Sequence, residues 1–99
     1  MANMDTVVGN LMDKAEKAVG KVQSSKSVAA QGIEAVASKI DGVTNWEVTL
    51  NGDLIVAASW NGEFETSFLG DKKHPIFKAA KARIDEKIEN IKFRRPLSI

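Results

Sequence analysis

The pairs Asn51-Gly52 and Asn61-Gly62 constrain the fold more than any other feature of this sequence. Both members of an Asn-Gly pair accept a positive φ, which the tight two-residue turn of a β-hairpin requires. Each pair lies between short runs in which apolar and polar residues alternate, and this alternation is typical of strands. The sequence therefore predicts a three-stranded antiparallel meander over residues 44–69.

The two turns also predict a register for this sheet, and hence two faces. Two-residue turns would pair Val48 with Ile55 and Ile55 with Phe68. The core face would then carry Trp46, Val48, Leu50, Ile55, Ala57, Phe64 and Phe68. The opposite face would have an apolar centre and an acidic border, formed by Leu54, Val56, Ala58 and Trp60 and by Glu47, Glu63 and Glu65. An apolar patch with a charged rim is typical of a protein-binding surface.

The segment before the sheet is predicted to be helical. Residues 4–41 are rich in Ala, Lys and Glu, and their apolar residues recur at intervals of three and four. A single long helix and two helices separated at the Ser-rich stretch 23–27 both fit this pattern. Two helices are favoured, because one helix of about 37 residues is long for so small a domain.

A further helix is predicted over residues 75–93. Pro75 suits the first helical position, and the buried stripe would consist of Phe77, Ala80, Ile84, Ile88 and Ile91. Residues 94–99 are expected to form a tail, because Pro96 cannot continue a helix. The 99 residues are thus expected to form a single α+β domain with the order α-α-β-β-β-α.

The residue types that carry catalysis or bind metals are scarce in this chain. Cysteine is absent, which excludes disulfides, a thiol nucleophile and Cys-based zinc sites. The single histidine, His74, has no ligand or nucleophile at a recognisable spacing, and no glycine pattern matches a phosphate-binding loop. We therefore expect a protein without enzymatic activity, metal or cofactor. The absence of an apolar run long enough to span a membrane, and of a signal-peptide pattern, favours the cytoplasm.

The sequence around the last helix resembles a known family. Residues 71–82 (DKKHPIFKAAKA) resemble the entry to the last helix of the HU and integration-host-factor family of histone-like proteins, and residues 25–36 resemble its second helix. The resemblance implies an intertwined homodimer that binds duplex DNA, with Lys72, Lys73, Lys78 and Lys81 at positions that would contact phosphate. The family's long DNA-binding arm between the second and third strands has no counterpart here, because Asn61-Gly62 closes that hairpin.

Two functions follow as expectations from the distribution of charge and the predicted faces. Residues 1–70 contain five basic and nine acidic residues, whereas residues 71–99 contain nine basic and four acidic ones. The acidic part and the missing arm favour a small protein-binding module, expected to be a homodimer, such as an inhibitor or adaptor of the kind that phages and mobile elements encode. The alternative is a histone-like protein that binds duplex DNA through the basic C-terminal third.

Overall fold

The computed structural model describes residues 4–19 and 25–94, in which two helices cover one face of a five-stranded antiparallel sheet. The helices are α1 (Met4–Val19) and α2 (Pro75–Arg94). The strands, which lie side by side in chain order, are β1 (Ser25–Ala30), β2 (Ile33–Ile40), β3 (Val43–Leu50), β4 (Asp53–Trp60) and β5 (Thr66–Gly70). The α+β class, a meander of three strands after residue 42 and a C-terminal helix that begins at Pro75 are confirmed.

The prediction of a helical region through residue 41 is wrong for residues 25–41, which form the hairpin of β1 and β2 and the turn that follows it. Gln31-Gly32 and Asp41-Gly42 adopt φ values between 52° and 79°. These values fit a two-residue hairpin turn and end any right-handed helix. The stretch that resembled the second helix of the histone-like family therefore lies in this hairpin. Residues 20–24, which include the first two residues of the Ser-rich stretch, and the expected tail 95–99 lie outside the described residues.

The predicted register of the last three strands is also wrong, for two reasons. Val48 pairs with Val56 and not with Ile55, because a β-bulge places one extra residue in β4 at Ile55. The turn after β4 is a five-residue loop, 61–65, closed by the side chain of Asn61. Its Oδ1 accepts hydrogen bonds from the backbone N–H groups of Glu63 (2.8 Å) and Glu65 (3.2 Å).

These two shifts exchange the predicted faces of β4. Val56, Ala58 and Trp60 point toward the helices and are only 1%, 4% and 8% exposed. Ala57, predicted in the core, is half-buried on the opposite face, and Phe64 is 47% exposed in the loop. A single extra residue in an extended strand reverses the face of every residue beyond it, because side chains alternate with a period of two.

The core lies between the sheet and the helix pair, and two tryptophans form its centre. The rings of Trp46 and Trp60 stack with 6.4 Å between their centroids and 17° between their planes. The indole N–H of Trp46 donates to the backbone carbonyl of Met12 over 3.1 Å, which ties β3 to α1. The predicted stripe of α2 is confirmed: Phe77, Ala80 and Ile84 are buried, and Ile88 and Ile91 pack partly buried against the same core.

The two helices pack directly against each other above the sheet. Gly9 of α1 is buried where the aliphatic part of Arg83 from α2 passes, and a Cβ at this glycine would lie 3.2 Å from Cδ of Arg83. The missing side chain therefore lets the arginine lie between the helices. Neither helix is long and apolar enough to cross a membrane, among the residues that the structure describes.

Candidate binding surfaces

One whole face of the sheet carries no helix in the described part of the chain, and we call it the outer face. Its members are the alternate strand residues that point away from α1 and α2: Ser27, Ala29, Glu34, Val36, Ser38, Ile40, Val43, Asn45, Glu47, Thr49, Leu54, Ala57, Ser59, Ser67 and Leu69. An antiparallel sheet tolerates such an open face when its residues are polar. Here the polar residues are mixed with exposed apolar ones, since Leu69 is 72%, Ile40 is 55% and Leu54 is 54% exposed.

The outer face is hollowed by a shallow trough that crosses the strands. Its volume is about 280 Å³, and small side chains line its middle, among them Ser38, Ala57 and Ser59. Leu69 lies at the β5 end of the trough and Val36 at the β2 end. The hydroxyl of Ser59 donates to the Oδ1 of Asn45 over 2.5 Å, which fixes the polar floor between them.

The charge of the outer face is acidic. Glu34 on β2 and Glu47 on β3 are the charged residues among its strand positions, and the structure brings them close together because Glu34 pairs with Thr49 and Val36 with Glu47. Diagonal neighbours in an antiparallel pair lie about 7–8 Å apart at Cα, within mutual reach of long side chains. The face thus offers two carboxylates beside apolar side chains and favours a partner that carries basic and apolar groups.

The structure separates the seven residues predicted to bind a partner. Leu54 and Glu47 both lie exposed on the outer face. Val56, Ala58 and Trp60 belong to the core and cannot contact a partner without unfolding. The two remaining residues, Glu63 and Glu65, are exposed in the loop between β4 and β5. Three apolar members of the outer face, Val36, Ile40 and Leu69, were missed because the first two were assigned to a helix and Leu69, at the end of the predicted sheet, was assigned to neither face.

A second candidate surface is the cleft between β5 and the start of α2, which we call the basic cleft. It has a volume of about 420 Å³ and is lined by Thr66, Ser67, Phe68, Lys72, Phe77, Lys78 and Lys81. Its floor is aromatic, since the rings of Phe68 and Phe77 lie 6.0 Å apart at an angle of 52°. Its rim carries three ammonium groups, and its lining contains no carboxylate.

The basic cleft gathers three of the four lysines expected to contact phosphate in the histone-like alternative. Lys81 forms an ion pair with Asp85 at 2.9 Å, and its ammonium lies 5.8 Å from the centre of the Phe68 ring. Lys72 and Lys78 line the same cleft and form no ion pair within the described residues. Lys73, the fourth, is exposed beside the cleft, where its backbone N–H donates to the Asp71 carboxylate.

The single histidine of the chain, His74, caps α2. The Nδ1 of His74 accepts a hydrogen bond from the backbone N–H of Ile76 over 3.0 Å, which satisfies one of the free donors at the helix start. His74 is half-buried. No group of three or more acidic, His or Cys side chains able to hold a metal ion occurs among residues 4–19 and 25–94.

A cluster of charges joins α1 to α2. The Asp13 carboxylate accepts a hydrogen bond from the Arg83 guanidinium and lies 3.0 Å from the Lys87 ammonium, which also lies 3.5 Å from Glu16. Burial acts to raise the pKa of Asp13, but the hydrogen bonds from Arg83 and Lys87 and their positive charges outweigh it and hold the pKa below its usual value. Lys87 also lies 5.8 Å from the centre of the Trp60 ring. Every member thus has a structural partner, which indicates that this cluster stabilises the helix pair.

The described residues form a small α+β protein with an open sheet face and a basic cleft. Comparison with protein families, with curated proteins and with solved structures finds no match for the chain. The assignment of a function therefore depends on the chemistry of these surfaces.

Proposed function

We propose that this chain is a non-catalytic protein-binding module that uses the outer face of its sheet. The observation that carries the proposal is the exposure of Leu69, Ile40 and Leu54 on a face that no helix of the described chain covers. Single exposed apolar residues are common, but several of them on one continuous sheet face beside a trough are typical of an interface.

The chemistry of the face specifies the kind of partner. Glu34 and Glu47 supply negative charge, and no basic residue occupies an outer-face strand position described in the structure. The partner would therefore present an apolar ridge that fits the trough, flanked by Lys or Arg. Complementary charge of this kind favours fast association and the correct orientation. A second copy of the chain meets this requirement less well, because two outer faces in contact would bring like charges together.

The proposal is tested by charge reversal and apolar truncation on the outer face. The double variant Glu47→Lys with Leu69→Ser should remain folded, because both side chains are exposed. It should lose a specific protein that the unmodified chain retains on beads from an extract of its source cells. The matched control is Glu89→Lys, an equal charge reversal on α2 with the side chain 60% exposed. The proposal is contradicted if the double variant and the control retain the same proteins as the unmodified chain, or if the unmodified chain retains none.

Light scattering on the same purified proteins measures the oligomeric state. If the unmodified chain has the mass of two protomers and the double variant has the mass of one, the partner is a second copy, as the expected homodimer requires. If both proteins have the mass of one protomer, the outer face is free to receive a different protein.

The competing proposal is that the chain binds duplex DNA through the lysines of the basic cleft and Lys73. Its support is the gathering of Lys72, Lys78 and Lys81 at one site. Anisotropy of a labelled duplex of about 30 base pairs, titrated at about 50 and 200 mM salt, tests this function, because each phosphate neutralised adds about 0.9 to the log–log salt dependence. Tight binding that weakens steeply with salt supports it, and absence of binding at low salt removes it.

A further inference from the structure

We propose that the basic cleft and the open edge of β5 together form a second binding site, which captures an extended acidic peptide segment as a sixth strand of the sheet. The site is separate from the outer face and would be filled whether or not the outer face binds a partner. Its elements are the edge of β5 that no other described strand pairs with, an aromatic floor and a rim of ammonium groups.

The open edge follows from the hydrogen bonds of β5 with β4. The backbone N–H of Asn61 donates to the carbonyl of Glu65 (3.1 Å), and that of Asp71 donates to the carbonyl of Ile55 (3.0 Å). Since hydrogen-bonding directions alternate along an antiparallel strand, residues 65, 67, 69 and 71 point their backbone groups toward β4. The N–H and C=O groups of Thr66, Phe68 and Gly70 therefore point to the free edge, the arrangement that an added strand requires.

The floor of the cleft supplies an apolar anchor site next to this edge. A strand paired with β5 would place every second side chain on the helix side of the sheet. There it would meet the rings of Phe68 and Phe77, which line the cleft. α2 packs against β4, and the cleft lies between the start of α2 and β5. An apolar side chain of the incoming strand would fill this space.

The rim selects for negative charge. Lys72 and Lys78 line the cleft without an ion pair among the described residues, and Lys81 forms an ion pair with Asp85. Carboxylates of an incoming strand would neutralise these ammonium groups at the margin of an apolar site, where solvent screens them less than in bulk water.

The same features favour a peptide over a nucleic acid. Phosphate tracks need a continuous row of basic groups, whereas α2 beyond the cleft carries Asp85, Glu86 and Glu89 on its exposed side. A nucleic acid also cannot pair as a strand with the row of N–H and C=O groups along the free edge of β5. An extended acidic peptide uses the edge, the floor and the rim together.

The test is fluorescence anisotropy with a labelled peptide of about seven residues in which Thr alternates with either Glu or Val, so that the acidic and the apolar side chains lie on the same side of the strand and face the cleft together. We expect saturable binding that weakens with salt, and no binding of the analogue in which Lys replaces Glu. The double variant Lys72→Glu with Lys78→Glu should weaken binding by about tenfold or more, since it loses charge-assisted contacts. The matched control, Lys14→Glu with Lys17→Glu on the exposed side of α1, should bind like the unmodified chain.

Strand addition is tested separately from charge. Methylation of alternate backbone nitrogens in the peptide removes the N–H groups that would pair with β5, so one of the two possible methylation patterns should abolish binding. Thr66→Pro should also weaken binding, because it removes an N–H on the free edge while the bonds to β4 remain.

Three results would overturn the inference. They are absence of peptide binding up to about millimolar concentration, equal binding of both methylated peptides, and binding of a labelled single-stranded or duplex oligonucleotide at this cleft in place of the peptide. The last result would assign the site to nucleic acid. None of them affects the outer face, because the variants that test that face, Glu47→Lys with Leu69→Ser, lie outside the cleft.

Discussion

Removal of the charge on Asp13 should destabilise the fold in a manner that depends on pH. Asp13→Asn keeps the shape of the side chain and removes the charge that Arg83 and Lys87 share between α1 and α2. Hydrogen bonds to charged groups contribute about 1.5–3 kcal/mol each. The three side chains remain 20%, 30% and 23% exposed, so solvent screens part of this energy. We expect a loss of about 2 kcal/mol at pH 7, or about 8–16 °C in melting temperature for a chain of this size.

The sign of the pH dependence follows from the direction of the pKa shift. The pKa of Asp13 in the folded state lies below its usual value, so its contribution to stability is complete above the unfolded value of about 3.9 and disappears as the pH falls through the lower folded value. The melting temperatures of the unmodified chain and Asp13→Asn should therefore differ most near neutral pH and converge in acid.

The assay is thermal unfolding followed by circular dichroism across this pH range, with Asp85→Asn as the matched control. Asp85 forms an exposed ion pair with Lys81 within one helix, its side chain 50% exposed, and such a pair contributes about 0.3–0.5 kcal/mol. A pH-independent difference for Asp13→Asn, or equal losses in the two variants at pH 7, would refute the assignment of Asp13 to a stabilising bridge between the helices.

Two further predictions concern the sheet. Gly70→Ala should destabilise the fold by about 3 kcal/mol or more, because a Cβ at φ 137° would lie 2.1 Å from the carbonyl oxygen of Ile55. Gly62→Ala, with open space around a Cβ at φ 87°, should cost only about 1 kcal/mol. Equal losses of the two variants in chemical denaturation would contradict this account of the β4–β5 contact. Val56→Ser should cost about 2–4 kcal/mol and Leu69→Ser less than about 0.5 kcal/mol, since the two residues are 1% and 72% exposed, and the reverse order in chemical denaturation would contradict the faces that the structure gives to β4 and β5.

The sequence contains a signal for all five strands that the helical pattern of residues 25–41 obscured. Glycines stand at 32, 42, 52 and 62, ten residues apart, and each follows Gln, Asp or Asn. This is the spacing of eight-residue strands joined by two-residue turns, which the structure shows for the first three positions. Ala29, Ala35 and Ala37 favour helix by intrinsic propensity, and sheet context overrides that preference here.

The candidate surfaces were harder to predict than the elements, because they depend on the register. The bulge at Ile55 shifts β4 against β3, and the loop closed by Asn61 shifts β4 against β5. Neither shift can be recognised in the sequence, because the same Asn-Gly pairs would also form regular two-residue turns. Leu54 fell on the predicted face because it precedes the bulge in β4, and Glu47 did so because the extra residue lies in β4 and not in β3. Three of the four lysines singled out from the sequence lie together in the basic cleft, whereas their aromatic floor required the contact of Phe68 on β5 with Phe77 on α2.

The dimensions of the two layers explain why this fold leaves both an open face and an open edge. Five strands spaced about 4.8 Å apart place β1 and β5 about 19 Å from each other, and two packed helices, each about 10 Å across, cover about that width. α1 lies over β1 and β2 and α2 lies over β4, so β5 lies at the rim of the helix layer. Both described helices lie on one side of the sheet. The apolar residues on its other side are therefore kept in solution by the polar residues around them or are covered by a partner. The outer face is therefore open because both described helices lie on the other side of the sheet, and the basic cleft is open because α2 lies over β4 and not over β5.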